Sequence, residues 1–284
     1  MRIVQPTNGK LELQNDGVLE IFFIGTGSAF AQEHFHTNFL IIKGNEHILV
    51  DFGSTGPMAF PATTGRPLTD IETLFITHSH FDHVGGVEHL ALLNRYVGMT
   101  ALGRPKMKMI INEQYQRILW EMTLRGGMEW NEVNREGERL SFIDFFDIIR
   151  PTLKVSTPRE IWEIQYGTIK LEIFRTNHLP AQPFPWQQSF VTYGVFIDDR
   201  IFISGDTVFD EELIQMYHHR SEYMFHDCSF APNPVHASLP ELRTLPENIK
   251  QKIFLVHYPD GADMHDFTGF AGLTQQGYRY IFDE

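Results

Sequence analysis

Short runs of apolar residues, bounded by glycine, asparagine or charged residues, recur along the chain and predict buried strands. In the first half these runs cover residues 19–24, 39–42, 48–51 and 71–77. In the second half they cover 169–175, 188–197, 200–204, 223–226 and 252–256. Helical spacing of apolar residues occurs between some of them, at 87–96, 115–124 and 211–219. Strands mixed with helices in two similar halves predict an α/β fold, an αββα sandwich of two mixed β-sheets with outer helices.

One segment, from about residue 102 to 165, departs from this pattern. It is polar and loop-like around the Gly126-Gly127 pair and at 131–139, and no Pro- or Ser-rich linker flanks it. A chain of 284 residues is long enough to bury one large core. We therefore predict a single domain over residues 1–284 with an insertion at about 102–165.

Metal-binding residue types follow directly on the strand predicted at 71–77. His78, His80, Asp82 and His83 lie within six residues, and imidazole and carboxylate groups suit zinc and similar transition-metal ions. In an extended segment residues i and i+2 point the same way, so His78 and His80 can reach one ion. Asp82 and His83 then turn toward a neighbouring position. A cluster of surface histidines is the alternative, and this spacing after an apolar strand disfavours it.

Three later candidates follow the ends of predicted strands, where ligands gather in α/β folds. They are His178, Asp206 and His257. Each alone is equally well explained as a capping aspartate or a core histidine. Together with the first cluster they predict one site, in which the two oxygens of Asp206 could hold two ions.

The run His78-Ser79-His80-Phe81-Asp82-His83 resembles the HxHxDH signature of the metallo-β-lactamase superfamily. The later single-ligand motifs match as well, and the resemblance runs from about Ile21 to Phe282. It implies a binuclear site with two divalent ions, Zn²⁺ in the first place and Mn²⁺ or iron as alternatives. It assigns one ion to His78, His80 and His178, the other to Asp82, His83 and His257, and the bridging position to Asp206.

Two further stretches narrow the resemblance within the superfamily. Residues 22–30 are similar to the N-terminus of the ribonuclease Z group, and Asp227 and His236 match that group's acidic residue and paired histidine. Asp227 stands where glutamate is usual. The run 236–242, through to His257-Tyr258, also resembles bacterial and phage cyclic-nucleotide phosphodiesterases of the metallo-β-lactamase fold.

The charge of the chain favours a small substrate. The formal net charge is −13, and segment 104–139 holds seven Lys or Arg against six Asp or Glu. Tight binding of long nucleic acid needs phosphates to be neutralised by basic side chains. We therefore place a small phosphodiester above a tRNA precursor as the expected substrate.

The expected function is a metal-dependent phosphodiesterase acting on a small phosphodiester, above all a cyclic nucleotide, through a metal-bridging hydroxide. Asp82 would orient the hydroxide, His236 would protonate the leaving oxygen, and Asp227 would hold the His236 tautomer. The alternatives are a ribonuclease Z-like RNA endonuclease, a thioester, lactone or β-lactam hydrolase on the same site, and a protein that sequesters a nucleotide. The Asp227–His236 pair disfavours carbonyl substrates, and the intact ligand set disfavours mere sequestration.

Location and partners follow from simpler features. The chain has one cysteine, Cys228, and neither an apolar signal segment at its start nor a run of about 20 apolar residues. We therefore expect a cytoplasmic protein without membrane contact, and related enzymes imply a homodimer. The aromatic residues of Phe184-Pro185-Trp186 and Tyr193 are candidates for stacking on a base, with packing as an equal alternative.

Overall fold

The computed structural model describes residues 1–6, 9–179 and 188–283. The chain divides into two compact units. The first contains Met1–Ile24, Asn38–Pro151 and Gly277–Glu284, and the second contains Gly25–Thr37 and Thr152–Gln276. Phe184 and Trp186 lie outside the described residues.

The first unit contains one mixed sheet of eight strands. Its strands are β1 (Arg2–Val4), β2 (Leu19–Gly25), β3 (Asn38–Lys43), β4 (Glu46–Val50), β5 (Thr73–Phe75), β6 (Met107–Ile110), β7 (Phe146–Ile149) and β16 (Arg279–Phe282). They are arranged in the order β1-β16-β2-β3-β4-β5-β6-β7. Strands β4 to β7 run parallel, whereas β16 pairs antiparallel with both β1 and β2, and β3 pairs antiparallel with β4.

Short helices connect these strands. They are α1 (Gly56–Thr64), α2 (Phe81–Val84), α3 (Val87–Leu93), α4 (Thr100–Leu102), α5 (Glu113–Ile118), α6 (Arg125–Met128) and α7 (Phe142–Phe145), with a 3₁₀ turn at Leu68–Asp70 and π-helical turns at Asn94–Met99 and Leu119–Leu124. The side chain of Asn112 accepts the Tyr115 N–H and so caps α5 at its start.

The second unit contains the other mixed eight-stranded sheet, ordered β15-β14-β13-β12-β11-β10-β9-β8. Its strands are β8 (Thr152–Val155), β9 (Ile161–Tyr166), β10 (Ile169–Arg175), β11 (Tyr193–Ile197), β12 (Ile201–Ile203), β13 (Tyr223–Asp227), β14 (Ile253–Val256) and β15 (Gly272–Leu273). Its helices are α8 (Glu211–Tyr217), α9 (Leu239–Leu242) and α10 (Glu247–Lys250), with a 3₁₀ turn at Ala262–Met264. Strands β8 to β12 are antiparallel, and β12 to β15 are parallel.

Aromatic rings fill the core beneath α8. Phe174 and Phe202 stack with ring centroids 5.2 Å apart, and Tyr217 of α8 lies 4.7 Å from Phe174. Offset and tilted ring pairs of this kind add to the stabilisation that burial already provides. This core supports β10, β12 and β13, whose ends carry candidate site residues.

The fold class predicted from the sequence is confirmed, since the structure has two mixed β-sheets with helices. Two strands are shorter than predicted: 71–77 contains only Thr73–Phe75, and 188–197 contains only Tyr193–Ile197. Segment 102–165 contributes β6 and β7 to one sheet and β8 and β9 to the other.

Tyr193 is 1% exposed and is therefore a packing residue. None of the described helices combines the length and hydropathy that crossing a bilayer requires.

Candidate functional site

In the first unit, candidate site residues begin where β4 and β5 end. These strands are parallel neighbours, so the residues that follow them, Asp51 and Thr77, lie at the same sheet edge. The Asp51 N–H donates to the Phe75 carbonyl over 2.8 Å. Asp51 has a φ of 62°, a left-handed conformation that aspartate tolerates better than most residues. The backbone thus turns at Asp51 toward the segment that carries the histidines.

The carboxylate of Asp51 is buried and holds that segment through three hydrogen bonds. It accepts the Thr77 N–H at 2.7 Å, the Thr77 hydroxyl at 2.8 Å and His83 Nδ1 at 2.7 Å. Burial raises the pKa of Asp51, and the contacts with His83 and Thr77 act in the opposite direction. A proton on His83 Nδ1 leaves a lone pair on Nε2, the form in which histidine binds metal.

The ligand atoms of the histidine segment lie in close pairs. His78 Nε2 is 2.9 Å from His80 Nδ1, and His83 Nε2 is 3.3 Å from Asp82 Oδ2. Two ligands bound to one ion at about 2.0–2.2 Å can lie at most about 4 Å apart. Both pairs therefore have a spacing at which each could share an ion, as the motif predicts.

A glycine lets the segment approach this closely. A Cβ on Gly53 would lie 1.9 Å from the carbonyl oxygen of Asp82. The Gly53 N–H donates to Asn38 Oδ1 at 2.9 Å, which holds the backbone in this position. Position 53 therefore accepts only glycine, because it lies directly beside α2, the helix that carries Asp82 and His83.

In the second unit, the parallel strands β12, β13 and β14 bring three candidates to one edge. Asp206 follows β12, Asp227 ends β13 and His257 follows β14. Asp206 comes directly after Gly205, whose φ is 58° and whose Cβ position lies 2.3 Å from the Tyr193 carbonyl oxygen. A side chain at position 205 would meet both backbone strain and a steric clash, so glycine fixes the turn that presents Asp206.

Asp206 lies between two histidines of this unit. Its Oδ2 is 3.5 Å from His257 Nε2 and 3.9 Å from His178 Nε2. His178 Nδ1 donates to the Val235 carbonyl at 2.7 Å, which directs the lone pair to Nε2. Burial lowers the pKa of His178, so its neutral form, the one that binds metal, is favoured.

Asp227 contacts two histidines, one with each of its oxygens. Oδ2 is 2.7 Å from His236 Nδ1, and Oδ1 is 3.4 Å from His257 Nδ1. Oδ2 also accepts the Thr207 N–H at 3.1 Å. Burial opposes ionisation of this carboxyl group, but His236 outweighs it and holds the pKa of Asp227 below its ordinary value. In turn, burial lowers the pKa of His236, but Asp227 outweighs it and raises that pKa.

The donor atoms in both units fit divalent metal ions. They are ring nitrogens and carboxylate oxygens, the set that zinc and similar ions prefer. In the second unit, Asp206, Asp227, His236 and His257 each offer one such atom, all within 4.8 Å of one another. Such clustering of buried histidine and aspartate side chains supports divalent-metal binding.

The structure therefore places the predicted site residues in two clusters, one in each unit. The first comprises His78, His80, Asp82 and His83, and the second His178, Asp206, Asp227, His236 and His257. Three points remain predictions: how these residues are divided between two ions, whether Asp206 bridges them, and which residues are catalytic.

Three groups of the site were not predicted from the sequence: Asp51, Thr77 and the Val235 carbonyl. Asp51 ends the run 48–51 that the sequence had predicted as a strand, so the rule that located Asp206 could have found it. Thr77 precedes the histidine motif but has no metal-binding side chain. The Val235 carbonyl leaves no signal in residue type, because every residue has one.

The fold and these clusters define the class of protein, a metallo-β-lactamase-fold protein with candidate metal ligands, as the motif resemblance predicted. The fold is also that of a metallo-β-lactamase-fold protein from Bacillus subtilis, YhfI, with a TM-score of 0.66, 14% identity, and coverage of 93% of this chain and 100% of that one.

The comparison of sequences identifies the particular family. The profile described as Anti-Pycsar protein Apyc1 matches residues 19–280. The Anti-Pycsar protein Apyc1 of Paenibacillus sp. (strain J14) is 35% identical over 257 residues, which are 89% of this chain and 94% of that protein. The protein of the same name from Bacillus phage 010DV004 is 33% identical over 272 residues, 93% of this chain and 98% of that protein. The chain belongs to the Apyc1 family of anti-Pycsar proteins.

The hydrogen bonds of Asp51 predict a loss of metal affinity in Asp51→Asn. The amide has one acceptor where the carboxylate has two, so the Thr77 donors and His83 Nδ1 cannot all be satisfied. We expect zinc affinity to fall about 10- to 100-fold, the usual effect of losing a group that orients a ligand. Competition with a chromogenic chelator measures it. The exposed Asp263 provides a matched control, Asp263→Asn, and equal affinity in both folded variants would contradict the orienting role.

Proposed function

We propose that this protein is a metal-dependent phosphodiesterase that hydrolyses a cyclic nucleotide. Membership of the Apyc1 family supports a cyclic-nucleotide-related substrate. The observation that carries the proposal is the hydrogen bond of 2.7 Å between Asp227 and His236, beside the candidate metal ligand His257. Cleavage of a phosphodiester expels an alkoxide, which needs a proton donor at this position.

The proposed metal ligands are those that the motif assigns. His78, His80 and His178 would hold one ion, Asp82, His83 and His257 the other, and Asp206 both. When bound, two divalent ions supply Lewis-acid activation of water and neutralise charge on the phosphoryl oxygens. The nitrogen and oxygen donors suit Zn²⁺ first, with Mn²⁺ or iron as alternatives. Asp82 would also orient the attacking water through its carboxylate.

His236 would supply the proton to the leaving group. Its Nδ1–H points to the buried Asp227, so the acidic form is the imidazolium, which carries its second proton on Nε2. The negative charge of Asp227 stabilises that cation. As the bond from phosphorus to the ribose oxygen breaks, His236 Nε2 gives its proton to that oxygen, while Nδ1 stays bonded to Asp227. Asp227 is thus a positioning residue and His236 the catalytic acid.

The charge of the chain supports a small substrate over a long nucleic acid. A formal net charge of −13 repels an extended polyanion. A cyclic mononucleotide has a single phosphodiester, whose negative charge bound metal ions can offset locally.

We also propose that the protein is cytoplasmic and forms a homodimer.

The function is tested by a screen of metal-reconstituted protein. Cyclic AMP, GMP, CMP and UMP are each incubated with the Zn²⁺- and Mn²⁺-loaded protein, next to a cyclic dinucleotide, a pre-tRNA, a lactone and a thioester. The proposal predicts conversion of at least one cyclic mononucleotide to its linear monophosphate, and no loss of the carbonyl substrates. Turnover of the lactone or thioester alone would contradict it, and so would recovery of every cyclic nucleotide unchanged.

The acid role of His236 predicts a dependence on the leaving group. His236→Ala should lower kcat for a cyclic nucleotide about 10²- to 10⁴-fold, because the ribose alkoxide needs a proton. The same variant should retain most of its turnover of bis(p-nitrophenyl) phosphate, whose leaving group departs without one. Steady-state rates on both substrates measure this. His89→Ala, which removes an exposed histidine, is the control. Equal losses on the two diesters would exclude a general-acid role.

A further inference from the structure

A cavity of about 480 Å³ in the second unit opens beside the proposed acid. His236 and His257 form part of its wall. Away from them, the lining is largely apolar and includes Ala29, Phe30 and Val235. The volume is in the range of small-molecule sites, which run from about 300 to 1,000 Å³. A ligand whose phosphate lies at the histidines would therefore have its remaining part in this apolar space.

Phe30 is an aromatic residue among those that line this space. Its side chain is 85% exposed. It lies in a turn in which the Ala31 N–H donates to the Ser28 carbonyl at 3.1 Å, while the Ser28 N–H donates to the Tyr258 carbonyl at 3.0 Å. The turn is thus attached next to His257 and places Phe30 at the wall of the cavity.

Asp260 holds the segment that follows the turn. Its Oδ2 accepts the Gln32 N–H at 2.8 Å, and its Oδ1 accepts the Glu33 N–H at 3.0 Å. These two bonds hold the pKa of Asp260 below its ordinary value. Because backbone groups anchor the loop on both sides of Phe30, little conformational freedom is lost when a flat ligand stacks on the ring.

Asn233 adds a directed polar group to the lining of the cavity. Its Oδ1 accepts the N–H groups of Val235 at 2.9 Å and His236 at 3.2 Å. Both partners are donors, so the oxygen is the atom they contact and the NH₂ group remains as a donor. Among the described residues no hydrogen bond from this NH₂ group is found. The Asn233 side chain thus positions the backbone of His236, the proposed acid, and also provides an NH₂ donor.

We infer that Phe30 and Asn233 form a nucleobase subsite, in which the ring of Phe30 stacks on the base and the amide of Asn233 donates to an acceptor at its edge. This rests on the proposed function for the placement of the phosphate. A heteroaromatic base has both properties that the lining requires, a flat π-face and in-plane acceptor atoms.

Equilibrium binding tests the subsite without turnover. Uridine 5′-monophosphate, adenosine 5′-monophosphate and ribose 5-phosphate are titrated into the Zn²⁺-loaded protein by calorimetry. The subsite predicts that at least one of the nucleotides binds about 10-fold more tightly than the base-free sugar phosphate, the size of effect typical of one stacked base. Phe30→Ala should remove most of this preference, and Phe30→Trp should keep it. Met122→Ala, at a side chain that is 82% exposed, is the control.

Two results would overturn the inference. One is equal affinity of the wild type for all three ligands, and the other is an unchanged preference in folded Phe30→Ala. Asn233→Asp keeps an oxygen for the Val235 and His236 N–H groups and removes the amide donor, so it should lower the preference in part. Because the readout is a ratio of binding constants, it stands whether or not cyclic nucleotides are hydrolysed. A preserved preference without turnover would reject the proposed function and retain the subsite.

Discussion

Two buried carboxylates at the ends of strands, Asp51 and Asp227, orient the histidines of the candidate clusters. A buried charge is tolerated only where donors surround it. Asp51 contacts Thr77 and His83, and Asp227 contacts His236, His257 and Thr207. Through their hydrogen bonds the carboxylates set the tautomers and directions of two imidazole rings, those of His83 and His236. In each ring Nδ1 contacts the carboxylate, so Nε2 is the nitrogen left to bind a metal or carry a proton, an arrangement usual in metal sites.

The topology of the sheets explains why these groups meet. Parallel strands end at a common edge, so β4 and β5 bring Asp51 and Thr77 together, and β12 to β14 do the same for Asp206, Asp227 and His257. The two units repeat this arrangement with different residues. In both, a close backbone approach demands glycine, at Gly53 next to Asp82 and at Gly205 next to Tyr193. Local backbone constraints and site chemistry therefore coincide.

Much of this could be predicted from the sequence, and the remainder has physical reasons. The run 169–175 matches β10, because Ile169, Leu171 and Ile173 alternate with the charged Lys170 and Glu172, the two-residue period of a strand. The run 71–77 was too long as a strand, because apolar character continues past Phe75 while the backbone leaves the ladder to reach Asp51. The residue types between His78 and His83 were enough to predict a metal-binding segment there. The carbonyl that orients His178 and the turn that presents Phe30 could not be predicted, since both depend on tertiary contacts.

We propose that the clustered histidines and aspartates bind two divalent ions, with Asp206 as a ligand of both. Elemental analysis of Zn²⁺-reconstituted protein after removal of free metal tests this most directly. We expect about two ions per chain and a clear reduction in Asp206→Ala, while the exposed Asp263→Ala variant keeps the full amount. Full occupancy in folded Asp206→Ala would contradict the bridging assignment, and wild-type protein that retains no metal would show that these clusters are not a metal site.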